Sequence, residues 1–172
     1  MKTKALIVGR FQPFHFGHQK LIEWAANDVN FLIIGIGSSQ ESYTLRNPFT
    51  ASERRRMIEK SLGTRFRYDI VEIPDVNDDK RWIECVERIC PRFDIVYTNG
   101  SLEKKLFTNA GYEVKSTPIF NKNYYSGTEI RKRIIVGERW KDFVPQGTIE
   151  VIDAVDGVGR LRRLYKSYKY RY

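Results

Sequence analysis

Two histidines, the only ones in the chain, lie in the stretch GRFQPFHFGH, which covers residues 9–18. His15 and His18 are three residues apart with Gly17 between them, directly after an apolar run and where a helix would begin. Side chains at positions i and i+3 lie on one side of a helix, and the free N–H groups of a helix N-terminus bind anions. With Arg10 beside them, the histidines predict a polyphosphate site at which charge builds during group transfer. The alternative is a histidine pair that caps the helix or packs in the core.

A second helix start occurs near residue 126, where Ser126 is followed three residues later by Glu129. This spacing is the pattern of a capping box. Arg131 lies one turn into the same helix. By themselves, Ser126 and Glu129 indicate plain capping. Arg131 by itself is typical of a solvated helix arginine, since two further basic residues follow it.

The elements that position these residues follow from hydrophobic periodicity. Apolar runs alternate with segments of helical period, which is typical of βα units on a parallel sheet. We expect strands at 4–8, 30–37, 65–73, 93–100 and 112–118. We expect helices at 18–28, within 47–63 and 75–90, and at 101–111 and 126–140, with a short helix or two after Pro145.

This alternation predicts an α/β fold: a single doubly wound, Rossmann-like domain with a central parallel sheet. We place the domain at residues 1–145 and expect 146–172 to form a C-terminal helical extension, with a basic tail, packed on the same domain. Ligands of such sheets bind at the carboxyl ends of the strands, where the strand order reverses. The loops that follow the strands are therefore the expected binding site.

Charge is unevenly distributed along the 172 residues. The chain has 30 basic and 21 acidic residues, a net charge of +9. Six of the basic residues lie in GVGRLRRLYKSYKYRY, residues 157–172, which contains no acidic residue; without them, 24 basic residues face 21 acidic ones. The main body therefore has the charge of an ordinary enzyme. The tail is expected to be a helix that packs one stripe and solvates the other, although interleaved aromatic and basic residues also suit single-stranded nucleic acid.

The spacing of the cysteines and the N-terminal sequence are informative about the cellular location of the protein. Cys85 and Cys90 are five residues apart, which matches neither a CxxC metal site nor a redox pair. The opening MKTKALIVGR predicts a strand rather than a signal peptide. No apolar stretch approaches the roughly 20 residues that span a bilayer. We expect reduced thiols in a cytoplasmic protein.

The stretch GRFQPFHFGH resembles the HxGH signature of the nucleotidyltransferase superfamily, and its fuller form is similar to archaeal-type nicotinamide-mononucleotide adenylyltransferases. The second signature of that superfamily, ISSTxxR in its usual form, resembles YSGTEIR at residues 125–131. The stretches GIGSSQESYTLRNPFTASER, FDIVYTNG and GYEV are also similar to the archaeal enzymes. The resemblance covers about residues 4–145 in consistent order.

The resemblance implies a fold of nucleotidyltransferase type and adenylyl transfer from ATP to nicotinamide mononucleotide (NMN), giving NAD and pyrophosphate with Mg²⁺. It implies His15, His18 and Arg131 as catalytic residues. The residues it implies for ATP are Gly9, Arg10, Phe11, His18, Arg46, Asn99, Gly100, Ser126, Gly127, Thr128 and Arg131. Those it implies for NMN are Phe14, Gly37, Ser38, Asp79 and Trp82.

Three further points accompany the resemblance. Asp79 stands near Trp82 where relatives often carry an asparagine, so the group that recognises the carboxamide is open. No metal-binding residue is assigned, because Mg²⁺ keeps several waters and binds substrate phosphates with few protein ligands. Archaeal relatives assemble as hexamers, which implies a homo-oligomer and makes a contact between subunits a third alternative for the tail. No membrane or nucleic-acid partner is expected.

Two other functions compete with this interpretation. The first is a member of the same superfamily with another acceptor, such as flavin mononucleotide, phosphopantetheine or a cytidylyl-transfer partner. The second is a nucleic-acid-binding module that uses the net charge of +9, for which binding would weaken steeply with salt. Class I aminoacyl-tRNA synthetases share an HxGH-type signature, but this chain shows no KMSKS-like stretch.

Overall fold

The computed structural model describes residues 3–120 and 125–170. The strands are β1 (Lys4–Gly9), β2 (Phe31–Ile36), β3 (Tyr68–Glu72), β4 (Ile95–Tyr97) and β5 (Glu113–Lys115). The helices are α1 (Phe16–Ala26), α2 (Ala51–Leu62), α3 (Asp79–Ile89), α4 (Ser101–Asn109), α5 (Gly127–Val136), α6 (Gln146–Ala154) and α7 (Gly157–Lys169). A 3-10 turn covers Lys141–Phe143.

The five strands form one parallel sheet in the order β3-β2-β1-β4-β5. β1 lies in the middle, with Leu6 opposite Ile33 of β2 and Val96 of β4. Along the chain, β2 and β3 lie successively on one side of β1, and β4 and β5 lie successively on its other side. The carboxyl ends of β1 and β4 therefore flank the point where strand order reverses, which is the ligand edge of such sheets.

Both faces of this sheet are covered by helices. On one face, Leu6 and Val96 belong to a buried cluster with Ile83 and Val86 of α3 and Phe107 of α4. On the other face, Trp24 of α1 meets the ring of Tyr97 edge-on at 5.3 Å between centroids. Alternate residues of a strand point to opposite faces, so the neighbours Val96 and Tyr97 pack against helices on opposite faces of the sheet. The doubly wound α/β fold is confirmed.

The chain forms two compact units. The first contains the sheet and comprises Met1–Gly9, Leu21–Ser39 and Thr64–Ile119. The second comprises Arg10–Lys20, Gln40–Gly63 and Phe120–Tyr172, and so holds the start of α1 with α2, α5, α6 and α7. No helix in the described parts of the chain is long and apolar enough to cross a bilayer.

Helix–helix contact organises the second unit. α2 begins at a complete capping box between Thr50 and Glu53, as predicted, and Gly63 caps its C-terminus. Gly147 of α6 lies so close to α2 that a Cβ atom there would come within 2.6 Å of the Lys60 carbonyl carbon. Close approach of this kind is what a glycine permits.

Several predicted helix ends are wrong. α1 begins at Phe16 rather than at residue 18, because His15 caps it. α5 ends at Val136 rather than at residue 140, because Gly137 caps it with a left-handed φ of 82°. The predicted second capping box is only half formed: Ser126 accepts from the Glu129 N–H. The Glu129 carboxylate instead pairs with Arg133 at 3.1 Å, one turn later.

Candidate active site

The two histidines form a reciprocal cap at the start of α1. The His18 N–H donates to Nδ1 of His15 at 3.2 Å, and the His15 N–H donates to Nδ1 of His18 at 3.3 Å. The geometry is that of a capping box, with imidazole nitrogens in place of hydroxyl and carboxylate oxygens. The capping and catalytic interpretations of this pair are therefore compatible, because each ring uses only Nδ1 for the cap.

The cap also determines the tautomer of both rings. A neutral imidazole has one donor and one acceptor nitrogen, and Nδ1 is the acceptor in each histidine. The hydrogen must therefore be on Nε2. The rings stack with centroids 3.5 Å apart and planes 18° apart, so the site holds a pair of adjacent Nε2–H donors.

Aromatic packing holds the histidine pair in place. Phe14 stacks on His18 with centroids 5.7 Å apart, and Phe11 meets His18 edge-on at 4.8 Å. Both phenylalanines are buried. A Cβ atom at Gly17 would lie 2.8 Å from the Cβ atom of Tyr125 and 3.1 Å from Cε1 of His15. Gly17 is therefore required by packing around His15 as well as by space at the helix start.

Both imidazoles are neutral at physiological pH. Burial lowers the pKa of His15 to about 3. Burial, and then repulsion from His15 when that ring is protonated, hold the pKa of His18 well below its ordinary value. Desolvation disfavours the charged form of a group that has no compensating partner. These histidines can therefore donate hydrogen bonds to an anion but supply no formal positive charge.

Positive charge comes from three arginines. Burial lowers the pKa of Arg131 to about 10, with smaller contributions from the positive charges of Arg10 and Arg46. Arg131 thus stays protonated at neutral pH, and its guanidinium is close enough to those of Arg10 and Arg46 to be repelled by both. An anion bound among like charges relieves that repulsion, which suits a polyphosphate.

The two motifs meet at the main chain of Gln12. Nη1 of Arg131 donates to the carbonyl oxygen of Gln12 at 2.7 Å, and Nη2 donates to Oγ1 of Thr128 at 3.3 Å. A Cβ atom at Gly127 would lie 2.8 Å from that same carbonyl oxygen. The N-terminus of α5, capped by Ser126, is therefore in direct contact with the loop that ends in the histidine pair. Its free N–H groups add to the anion-binding character of the site.

Two residues that sequence reasoning missed secure this loop. The Gln12 side chain bonds both the N–H and the carbonyl of Phe49, at 2.9 and 2.8 Å. Arg54 is fully buried and donates to the carbonyl oxygens of Thr50, Arg10 and Glu41 at 3.2, 2.9 and 3.4 Å. The signal for Arg54 was its position, since it shares a helix face with Ala51 and Ile58, both buried.

The remaining predicted site residues lie in the first unit. The Gly37 N–H donates to the Gly9 carbonyl at 2.9 Å, so these two strand-end glycines are brought together. Ser38 follows with a φ of 46°. The side chain of Asn99, next to Gly100, is hydrogen-bonded to Thr117. Its Nδ2 donates to the Thr117 carbonyl at 3.0 Å, and its Oδ1 accepts from the Thr117 N–H at 3.0 Å.

Trp82 and Asp79 lie in the first turns of α3. The Trp82 ring is half-buried and meets Phe107 edge-on at 5.7 Å, against the core cluster of that unit. Asp79 is exposed, in the first turn of the helix that Asp78 caps. The Trp82 ring therefore packs against the core with one part and leaves another part exposed, on which a ligand ring could stack. Among the described residues, no group of three or more His, Cys, Asp or Glu side chains is gathered to hold a metal ion.

Comparison with known proteins gives the same assignment as the motifs. The cytidylyltransferase-like family matches residues 6–133. The nicotinamide-nucleotide adenylyltransferase of Methanococcus aeolicus is 51% identical over 162 residues, which are 94% of each chain. That of Methanococcus vannielii is 48% identical over 162 residues, again 94% of each chain.

A solved structure agrees at the level of the fold. The bifunctional NMN adenylyltransferase/ADP-ribose pyrophosphatase of Francisella tularensis, in complex with AMP and a manganese ion, superimposes with a TM-score of 0.77 at 20% identity. The match covers 99% of this chain but only 54% of that one, so the chain spans about half of the bifunctional protein. The identity and coverage of the archaeal relatives decide the family. The chain belongs to the cytidylyltransferase-like family of nucleotidyltransferases and, within it, to the archaeal nicotinamide-nucleotide adenylyltransferases.

Proposed function

We propose that this site transfers the adenylyl group of ATP to NMN and releases NAD and pyrophosphate. The observation that carries the proposal is the contact of the two motifs at Gln12, which brings Arg131 and the N-terminus of α5 against the histidine loop. A phosphate oxygen of NMN attacks the α-phosphorus of ATP in line. The bond from that phosphorus to the bridging oxygen breaks, and pyrophosphate leaves. No covalent intermediate on the protein is needed.

We propose different roles for the neutral histidines and the positively charged arginines. We assign the Nε2–H donors of His15 and His18 to phosphate oxygens on which charge increases in the transition state. Arg131, Arg10 and Arg46 neutralise the triphosphate, and Arg131 is already oriented by its bond to Gln12. The start of α5, Ser126–Thr128, binds the β- and γ-phosphates through its N–H groups.

The nucleoside groups are assigned to the strand-end loops. We propose Gly9, Phe11, Asn99 and Gly100 for ATP, and Phe14, Gly37, Ser38, Asp79 and Trp82 for NMN. The buried rings of Phe11 and Phe14 leave main-chain contacts as their means of binding. Asp79 can accept from the carboxamide NH₂ but cannot donate to its oxygen.

A divalent cation fits this donor set as a partner of ATP rather than of the protein. The groups that converge are cations and imidazole N–H donors, so we propose that Mg²⁺ is held by phosphate oxygens and water. When bound, it would neutralise charge on the leaving pyrophosphate.

The test is an acceptor panel. Purified protein is supplied with ATP and Mg²⁺ and, in parallel, with NMN, flavin mononucleotide or phosphopantetheine, and both pyrophosphate and the dinucleotide product are measured. We expect rapid NAD formation from NMN and no more than background release with the other acceptors. Equal or faster turnover of another acceptor would move the chain to a neighbouring activity, and no product with any acceptor would refute adenylyl transfer.

Besides the roles of individual residues, four expectations from the sequence stay predictions. They are the cytoplasmic location, a homo-oligomer such as a hexamer, preference for Mg²⁺, and a domain boundary at residue 145. Size-exclusion chromatography with light scattering measures the oligomer directly.

A further inference from the structure

Arg160 is a basic residue of the C-terminal segment whose guanidinium is used inside the protein. Its Nη1 and Nη2 donate to Oε2 and Oε1 of Glu53 at 2.7 and 2.9 Å, and the two side chains are 11% and 12% exposed. Nη1 also donates to the carbonyl of Pro48 at 3.0 Å, and Nη2 to that of Val155 at 3.4 Å. This bidentate arrangement depends on the planar fork that arginine has and lysine lacks.

The partners of Arg160 lie on both sides of Arg46. Before it in sequence, the ring of Tyr43 lies 4.6 Å from the guanidinium carbon. After it, Pro48 accepts a hydrogen bond, and Phe49 lies 5.9 Å away. Arg160 therefore contacts both ends of the segment that carries Arg46.

The segment between these contacts is a closed turn. The Thr44 N–H donates to the Asn47 carbonyl at 3.2 Å, and the Asn47 N–H donates to Oγ1 of Thr44 at 2.9 Å. Arg46 lies within this turn and is exposed. Because the turn is held internally, its position depends on how its two ends are fixed.

Glu53 links the same contacts to the start of α2. Its Oε2 accepts from the Thr50 N–H at 3.0 Å as part of the capping box. Burial alone would raise the pKa of Glu53, but the hydrogen bonds from Arg160 and Thr50 outweigh it and hold the pKa below its ordinary value. The carboxylate is therefore ionised at neutral pH and attracts the guanidinium.

We infer that Arg160 is a positioning residue for ATP, which fixes the turn Thr44–Asn47 through Glu53, Pro48 and Tyr43 and so presents Arg46 to the triphosphate. The inference rests on the proposed function, because it takes ATP as the ligand of Arg46. It gives the C-terminal segment a role in nucleotide binding without direct contact between Arg160 and the nucleotide.

The experiment is a double-mutant cycle between Arg160→Gln and Arg46→Ala, with the dissociation constant of ATP measured by titration calorimetry and steady-state kinetics measured in parallel. We expect Arg160→Gln to weaken ATP binding by about tenfold, on the scale of mutations that act from outside a site. In the Arg46→Ala background the same substitution should change the dissociation constant by less than about twofold, because it acts through the residue already removed. Arg160→Lys should restore only part of the affinity, since an ammonium cannot make the fork.

Arg163→Gln is the matched control, because Arg163 lies on the same helix and pairs with Asp156 at the surface, where both side chains are about two-thirds exposed. It should leave ATP affinity unchanged. Thermal unfolding of each variant shows whether it is folded at the assay temperature, and Glu53→Gln replaces Arg160→Gln in the cycle if the latter is not.

Two results would overturn the inference. One is a fall in melting temperature with unaltered ATP affinity, which would make Arg160 a stabilising residue only. The other is an effect of Arg160→Gln that is undiminished when Arg46 is absent. Failure of the wild-type protein to form NAD would instead refute the proposed function, and the ATP affinities distinguish the two cases.

Discussion

The histidine pair caps α1 through Nδ1 and, in the proposed function, binds the ligand through Nε2. Nδ1 of each histidine accepts from the main-chain N–H of the other. Nε2 of each ring is the nitrogen that we propose for the phosphate. Sequence spacing predicted that the rings would share a side, and they do. Capping by the pair was the alternative that the sequence left open. The reciprocal form of the cap was not predicted, because imidazole nitrogens are not among the usual capping acceptors, which are the side chains of Ser, Thr, Asp and Asn.

Substitution at His15 can separate the two roles. Asparagine is a good helix cap but has no group at the position of Nε2. His15→Asn should therefore keep the melting temperature near that of the wild type while lowering kcat by about 10²-fold, the scale for loss of one transition-state donor. His15→Ala should lower both. Thermal unfolding and steady-state kinetics on the two variants measure the difference, and near-normal kcat in His15→Asn would mean that His15 is structural only.

The lowered histidine pKa values make stability depend on pH. Because the folded pKa values lie below the ordinary value of 6.5, the unfolded chain binds protons that the folded chain does not. The contribution of the neutral pair is complete above about pH 6.5 and is lost as pH falls toward 3. The free energy of unfolding, measured with urea at pH 7.5 and pH 5, should fall with acidification. The fall should be smaller in His15→Asn, and an identical pH dependence in both proteins would contradict the assignment.

At the scale of elements, the first turn of α2 joins the parts of the second unit. Glu53 faces Arg160 of α7, and the next residue, Arg54, binds the carbonyl of Arg10. The capping box that starts this turn followed directly from Thr50 and Glu53 in the sequence. The partners of Arg160 and Arg54 did not, because they lie 107 and 44 residues away, and local periodicity carries no information on such contacts.

Loss of Arg54 should be severe. Arg54→Met leaves the carbonyls of Thr50 and Arg10 without this buried donor, and each unsatisfied group costs about 1–3 kcal/mol. We expect the free energy of unfolding to fall by about 3 kcal/mol or more, and ATP affinity to fall because Arg10 is displaced. Arg56→Met, two residues along on the exposed side, is the control and should change stability by less than about 0.5 kcal/mol. Equal stability of the two variants in urea titrations would contradict this assignment.

At the scale of the whole molecule, periodicity predicted five strands and the helices between them, since buried parallel strands are continuous apolar runs. Strand ends were predicted too long, notably for β4 and β5, which have three residues each. Phe93, which precedes β4, lies in the core cluster, and Tyr112, which precedes β5, packs against it, although neither belongs to a strand. A hydrophobic pattern does not distinguish such residues from strand residues.

Net charge was a poor guide to partners for a related reason. Of the basic residues in the C-terminal segment, Arg160 binds Glu53 and Arg162 donates to the Ile134 carbonyl at 3.3 Å. Arg163 pairs with Asp156. The predicted packed stripe holds at Leu161, which is fully buried, but Tyr165 and Tyr168 are 37% and 55% exposed. Composition therefore overstates the positive charge that this segment offers to a polyanion.

The measurement that tests the account most directly is a crystal structure of the protein with an ATP analogue whose bond between the α- and β-phosphates cannot be cleaved. We predict Nε2 of His15, Nε2 of His18 and the guanidinium of Arg131 at hydrogen-bonding distance, about 2.7–3.2 Å, from oxygens of one triphosphate. A triphosphate bound elsewhere, or one toward which these three side chains do not point, would contradict the account.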